Sequence, residues 1–487
     1  MSDEVLSALR DLASRGLSDE EIARALLDLT LQAAPPEVAD AVRVCALPAW
    51  FDADLLALLT ESLSPADEEG PEGEQPISPR RGEAEESQPL PPVRGEPEEG
   101  SLLERIAAFS FVMPRQGGGY VYHEATRERL LDWWRKPENR PRFAMLADCL
   151  ARHYLALAEE QDPRLGGPAY LEALSVLNGA YPNIHAAWEG VVEVGNEELV
   201  RDFAYAMHDY FGRRNLWSDW IAWTQAGLEA CKHMGDEAGA AGMQNNLGNA
   251  YAQLPTADRG ANLGRAIECY EQALTVYTAE AAPFQYATTQ NNLGNAYADL
   301  PAGDRGANLG RAIECYEQAL RFRTAEAAPL GYAGTQNNLG VAYAALPTGD
   351  RGANLGRAIE CYEQALTVYT AEADPFHYAG MQNNLGLAYA NLPTGHREAN
   401  LEKALECAEA ALHAKGLAPW ERAEYLFTRG LVHLALGHLD RALADYQAAI
   451  PLATAITMAE ALKELDRFAA GHPATPGLDT VRALLSK

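Results

Sequence analysis

Four cysteines, Cys269, Cys315, Cys361 and Cys407, recur every 46 residues, each inside "ECYE" or "ECAE". Thiols between carboxylates could ligate a metal or act as nucleophiles, so the pattern raises the question of chemistry. One cysteine per copy with no CxxC pair cannot by itself build a four-ligand zinc site. The spacing instead predicts a small apolar filler on a buried helix face, and Cys45, Cys149 and Cys231 sit in similar apolar helical contexts. No HExxH or G-x-S-x-G occurs, and the histidines are scattered. Glu268 and Glu271 fall on positions expected to face solvent. A phosphate-binding loop needs a Gly-Lys pair, and none of the six lysines follows a glycine. No catalytic residue, metal or cofactor is therefore expected, and the chain reads as a non-enzyme.

The second recurring chemistry is amide chemistry. Paired asparagines stand at Asn245 and Asn246, Asn291 and Asn292, Asn337 and Asn338, and Asn383 and Asn384. Each side chain carries a donor and an acceptor, which matches a peptide unit. Asn249 and Asn295 continue the row one helical turn on, and Val341 and Leu387 take that place in the later copies. Two readings stand side by side: the amides grip a partner, or they bond from one copy to the next.

These residues must be positioned by helices. In one copy Leu293, Gly294 and Tyr297 follow L-G-x-x-Y on a first helix, and Ala312, Tyr316 and Ala319 follow A-x-x-x-Y-x-x-A on a second. Leu293 and Tyr297 are four apart and share a face, and the small residues fall where helices approach closely. This pattern resembles the tetratricopeptide repeat (TPR), whose ordinary period is 34 residues. The final copy, with Gly430 twelve residues before Ala442, has that ordinary spacing, whereas Gly294 precedes Ala312 by eighteen. Six extra residues are thus expected between the helices, in "LPAGDRGANLGRA", and six more in the second helix or the link after it. Asn262, Asn308, Asn354 and Asn400 are expected as helix N-caps. The extended copies are similar to those of kinesin light chains. That resemblance implies a concave groove gripping an extended peptide through Asn245, Asn249, Asn291, Asn295, Asn337 and Asn383.

Upstream, "LLERIAAFSFVMPRQGGGYVYHEATRERLLDWW" reads as helix, strand, Gly-rich turn, strand, helix. With the two helices of "PPEVADAVRVCALPAWFDADLLALLTE" it resembles the winged-helix domain of STAND-type (NB-ARC) proteins. The resemblance implies that His123 corresponds to a nucleotide-contacting histidine, although no nucleotide-binding half is present. Helices between about Tyr170 and Ala240 resemble the degenerate TPR-like start of a STAND sensor arm, with Trp188, Trp217, Trp220 and Trp223 as packing residues. From about Ser64 to Gly100 the chain holds eight prolines, many acids and almost no large apolar residue, so this stretch is expected to be disordered.

The expected fold class is all-α: a TPR superhelix (α-solenoid) preceded by a small winged-helix domain. The expected divisions are an N-terminal helical segment at 1–34, a winged-helix-like domain at 35–137 with an insertion at 64–101, and bridging helices at 138–240. Four extended repeats follow at 241–424, then an ordinary one at 425–455 and capping helices at 456–487. The formal charge of -30 opposes nucleic acid and anionic membranes. Neither a leader nor an apolar run of spanning length is apparent, so a cytoplasmic location is expected. The leading expectation is a module binding a protein or peptide partner, including a separate effector or ATPase subunit. The alternatives are a regulatory sensor of a split STAND-like signalling or defence system, and a winged-helix DNA-binding regulator using Arg105, Arg115, Arg127, Arg129 and Arg135.

Overall fold

The structure is a computed structural model that describes residues 19–62, 101–256 and 258–486. The expected insertion therefore lies outside the described residues as far as Gly100, as does the first half of the N-terminal segment. The chain divides into two compact units, residues 1–234 and 235–487.

In the first unit, α1 (Asp19–Ala33), α2 (Pro36–Val44), α3 (Ala53–Glu61) and α4 (Leu102–Ala107) precede the strands β1 (Val112–Pro114) and β2 (Tyr120–Tyr122). The strands pair antiparallel with Met113 opposite Val121. Gly117, Gly118 and Gly119 turn the hairpin with φ of 98°, 100° and 74°, a region closed to most side chains. Phe51, between α2 and α3, exchanges backbone hydrogen bonds with Tyr120 and lengthens the sheet by one bridge. Three short helices and a small open sheet with a glycine wing are consistent with a winged helix. Then come α5 (Glu124–Trp134), α6 (Arg140–Gln161), α7 (Tyr170–Val194), α8 (Glu197–Ala206), α9 (His208–Arg214) and α10 (Trp217–Met234). Asn183 on α7 is fully buried and holds both backbone groups of Trp50, accepting from its N–H at 2.9 Å and donating to its carbonyl at 3.0 Å. Trp188 and Trp223 stack at 4.4 Å within this unit, a packing role that burial of aromatic area explains.

The second unit is a solenoid of helix pairs: α11 (Glu237–Gln253) with α12 (Arg259–Leu274), α13 (Pro283–Asp299) with α14 (Arg305–Leu320), α15 (Pro329–Ala345) with α16 (Arg351–Leu366), and α17 (Pro375–Asn391) with α18 (Arg397–Leu412). A shorter pair, α19 (Pro419–Ala435) and α20 (Leu439–Ala449), and the helices α21 (Ala455–Gly471) and α22 (Leu478–Leu485) close it. Proline at the first helical position starts α13, α15, α17 and α19, where its missing N–H costs nothing. Each long first helix stops at an extended leucine, such as Leu300, because the proline after it disfavours the helical conformation. First helices of successive pairs approach one another more closely than second helices do, which places the first helices on the inner wall of the coil.

The extra residues are not where the spacing placed them. Between Gly294 and Ala312 only two enlarge the loop, which is five residues long against three in the last pair. The other four form an added first turn of the second helix. Nor are the asparagines in that turn caps. Asp258, Asp304 and Asp350 cap the helices, accepting from the N–H of Ala261, Ala307 and Ala353. Asn308 lies one turn inside and donates back to the carbonyl of Ala302 at 2.8 Å, and Asn354 and Asn400 do the same to Thr348 and Thr394. An aspartate just before the helix competes better for the exposed N–H groups at a positive dipole end, which frees the asparagine to staple the loop.

The pairs close around glycine. A Cβ on Gly294 would lie 2.6 Å from the Tyr316 ring, and Gly248 and Gly340 face Tyr270 and Tyr362 in the same way. Between pairs, the hydroxyls of Tyr297, Tyr343 and Tyr389 donate to Glu271, Glu317 and Glu363 of the preceding second helix at 2.8–3.0 Å. The solvated face thus also carries inter-repeat ties.

Gly294→Ala should lower stability by about 1–3 kcal/mol, the cost of overpacking. Gly310→Ala, inside α14 with open space around it, should raise stability by roughly 0.5–1 kcal/mol. Urea unfolding of the two variants checks both signs.

Candidate functional site

The first helices place the asparagines in one row along the inner wall, and the row is knitted from pair to pair. The Asn245 carbonyl accepts from Thr289 at 3.2 Å and from the Asn292 amide at 3.3 Å. Asn291 accepts equivalently from Thr335 at 3.1 Å and Asn338 at 3.3 Å. Asn249 accepts from Tyr270 of its own pair and from Asn292 of the next, at 2.8 and 3.1 Å. Asn295 is held likewise by Tyr316 and Asn338, at 2.8 and 3.0 Å. Asn337 accepts only from Asn384, at 3.3 Å, because Met381 stands where Thr289 and Thr335 supply a hydroxyl. The geometry of the amides is that of the second reading, bonds from one copy to the next. Their carbonyls bridge the repeats, while Nδ2 of Asn249 and Asn295 makes no hydrogen bond among the described residues.

The row ends abruptly at Asn383. Its Nδ2 donates to Glu424 at 3.1 Å, but its Oδ1 has no partner although the residue is only 2% exposed. Counting back from Gly430, Tyr425 and Thr428 occupy the places of the two donors that reach Asn291. Neither replaces them. Asn383 lines a cavity of about 510 Å³ between α17, α19 and α21. Leu387, Phe427 and Leu431 make its floor, and Trp420 and Ile456, 43% and 77% exposed, stand at its rim. Burial raises the carboxyl pKa of Glu424 above the ordinary value, reinforced by the charges of Glu421 and Glu460. Among the described residues Glu424 has no ion-pair partner, whereas rim carboxylates Glu460 and Glu464 pair with Lys463 and Arg467. This cavity was not foreseen beyond the apolar end signalled by Val341 and Leu387; its other signal is the break in repeat spacing before Gly430.

The repeated thiols are buried or half-buried on the second helices. Burial pushes Cys269 and Cys407 up to about 11, and Cys315 and Cys361 up to about 12; none is a thiolate at neutral pH. Among the described residues no group of three or more His, Cys, Asp or Glu could hold a metal ion, and no helix is long and apolar enough to cross a membrane.

In the first unit His123 is exposed at the N-cap of α5 without a capping bond from its side chain. The neighbouring arginines are engaged within the fold. Arg105 and Arg129 pair with Glu37 and Asp28, and Arg135 with Glu193. Arg127 donates to the carbonyls of Leu47 and Pro48, and Arg115 lies over Trp50. A phosphate backbone would have to displace these partners.

Residues 423–454 match the tetratricopeptide repeat family. No curated protein matches the chain. Among solved structures, a Rap protein complexed with competence and sporulation factor is 16% identical, over 74% of this chain and 89% of that one, with a TM-score of 0.40. BtubC from P. vanneervenii is 19% identical, over 48% of this chain and 90% of that one, with a TM-score of 0.37. A STAND protein with a tetratricopeptide repeat sensor, from Pyrococcus horikoshii, is 14% identical, over 99% of this chain and 68% of that one, with a TM-score of 0.35.

Asn291→Ala removes an acceptor shared by two donors and should cost about 1–3 kcal/mol, more than Asn337→Ala, which frees only one; urea unfolding ranks them. Glu424 gives a second test. Its raised pKa favours folding only while it is protonated, so its contribution is present below the ordinary glutamate value and is lost as pH rises through the raised one. Glu424→Gln should therefore unfold at a higher temperature than the wild type at pH 7. The difference should vanish near about pH 4.

Proposed function

We propose that the second unit is a protein-interaction module that binds an extended peptide segment of a partner protein along its inner wall. The observation that carries this reading is the cavity at the end of the asparagine row. There a buried amide oxygen without a donor and a half-buried carboxylate without a cation lie over an apolar floor. Buried polar groups without partners destabilise a fold, and such exceptions concentrate where a ligand completes them. Apolar walls with a few convergent polar groups are the usual make-up of a ligand site.

The rest of the wall suits the same partner. The amide N–H groups of Asn249 and Asn295 offer donors for peptide carbonyls, and further along Val341, 46% exposed, offers an apolar contact. Stacked pairs supply length: at about 3.3 Å per residue an extended segment of nine residues reaches about 30 Å, further than one pair can cover.

Selection of random nonapeptides displayed on phage against the full chain tests the proposal. Enrichment of a peptide family by the wild type is expected. Val341→Glu should weaken its binding about tenfold, equivalent to about 1.4 kcal/mol, and Glu268→Lys on the outer helices should leave it unchanged. No enrichment by the wild type, or equal binding by the Val341 variant, would count against the groove.

A further inference from the structure

We propose that the cavity between α17, α19 and α21 is an arginine-recognition pocket, in which Asn383, Glu424 and Trp420 take one arginine side chain of the bound segment. This rests on the groove reading above and adds to it the chemistry of the anchor. The two polar groups here that lack a compensating partner, a buried amide oxygen and a carboxylate, both accept. Asn383 Oδ1 is buried without a donor, and the Glu424 carboxylate, which receives one N–H from the same amide, has no cation. The lining holds three carboxylates, Glu424, Glu460 and Glu464, and no basic residue. An anion would meet a lining whose formal charges are all negative.

The shape narrows the cation further. Asn383 and Glu424 sit on neighbouring first helices and are joined through Nδ2, so the amide oxygen and the carboxylate belong to one linked pair. A guanidinium is a planar fork with five donors and spans two acceptors at once, whereas an ammonium is a compact point charge that keeps its water. Trp420 at the rim supplies a face on which a guanidinium stacks. Between Ile456 at the rim and Leu387 and Phe427 on the floor the aliphatic stem of arginine would be buried. The volume of about 510 Å³ exceeds one side chain, leaving room for an apolar neighbour in the segment. The chain's charge of -30 draws a basic segment toward this surface.

The test uses the full chain and the nonapeptides that it enriches from the random display library, resynthesised with a fluorescent label. An arginine shared by the enriched sequences is expected. Its replacement by citrulline, which keeps the shape and loses the charge, should weaken binding at least tenfold by anisotropy, and lysine should recover only part of the loss. Glu424→Gln and Asn383→Leu should each bind the arginine peptide at least tenfold more weakly while distinguishing it less from the citrulline peptide, with wild-type helicity by circular dichroism. Val341→Glu, outside the cavity, should keep the arginine-to-citrulline ratio even as overall affinity falls. Enriched peptides without a required arginine, or an unchanged ratio in Glu424→Gln, would overturn the pocket and leave the groove standing. No enrichment at all would overturn both.

Discussion

The solenoid depends on one close approach, the tyrosine ring of the second helix lying against a glycine of the first in every pair but the fourth. Any side chain at Gly294 would occupy the space of the Tyr316 ring. Because the ring fits there, its hydroxyl emerges on the inner wall at Asn295. That asparagine is thereby oriented to accept from Asn338 of the next pair. Packing within a pair and registration between pairs are thus a single device, and repeating it builds the coil. Stability in such arrays is a sum over units and their nearest-neighbour interfaces, so a device that serves both is felt twice.

The fourth pair departs from it. Ala408 replaces the tyrosine, and a Cβ on Gly386 would instead lie 3.2 Å from the backbone carbonyl oxygen of Ala404. Leu387 replaces the asparagine that the tyrosine would hold, and the following pair is of ordinary length. The polar row therefore cannot close at its end, and an acceptor is left buried beside a carboxylate. A buried unsatisfied group costs about 1–3 kcal/mol. The molecule carries that penalty at the place where the wall also turns apolar and where an aromatic ring stands exposed. The coincidence of a polar deficit, a negative charge and an open cavity gives this end its chemical character.

The first unit works by a different logic. Its small sheet is too short to bury a core alone, and it is held by side chains that reach across: Asn183 to Trp50, Tyr122 to Val42 and Trp134 to Arg43. Among its described residues, Arg105, Arg115, Arg127, Arg129 and Arg135 are held by carboxylates, carbonyls and a ring of the same unit.

The sequence by itself determined the helix-pair architecture, since the 46-residue period, the Leu-Gly-Tyr and Ala-Tyr-Ala spacings and the proline starts are local or periodic signals that helical geometry alone interprets. It also singled out the asparagine row, because a strictly recurring polar pair on a buried helix must bond somewhere. It did not place the extra loop residues, for alignment on glycine cannot tell a longer loop from an added helical turn. The capping aspartates lost to the asparagines in that reading for the same reason. Only the tertiary structure decided that the amide carbonyls bridge neighbouring pairs, and that Asn383 bonds to Glu424 through Nδ2 and finds no donor for its oxygen among the described residues. The cavity itself is made by α21 folding back beside α19, a contact between residues some thirty apart that no periodicity encodes. Partners brought together by chain closure, unlike partners one turn apart, leave no spacing to read.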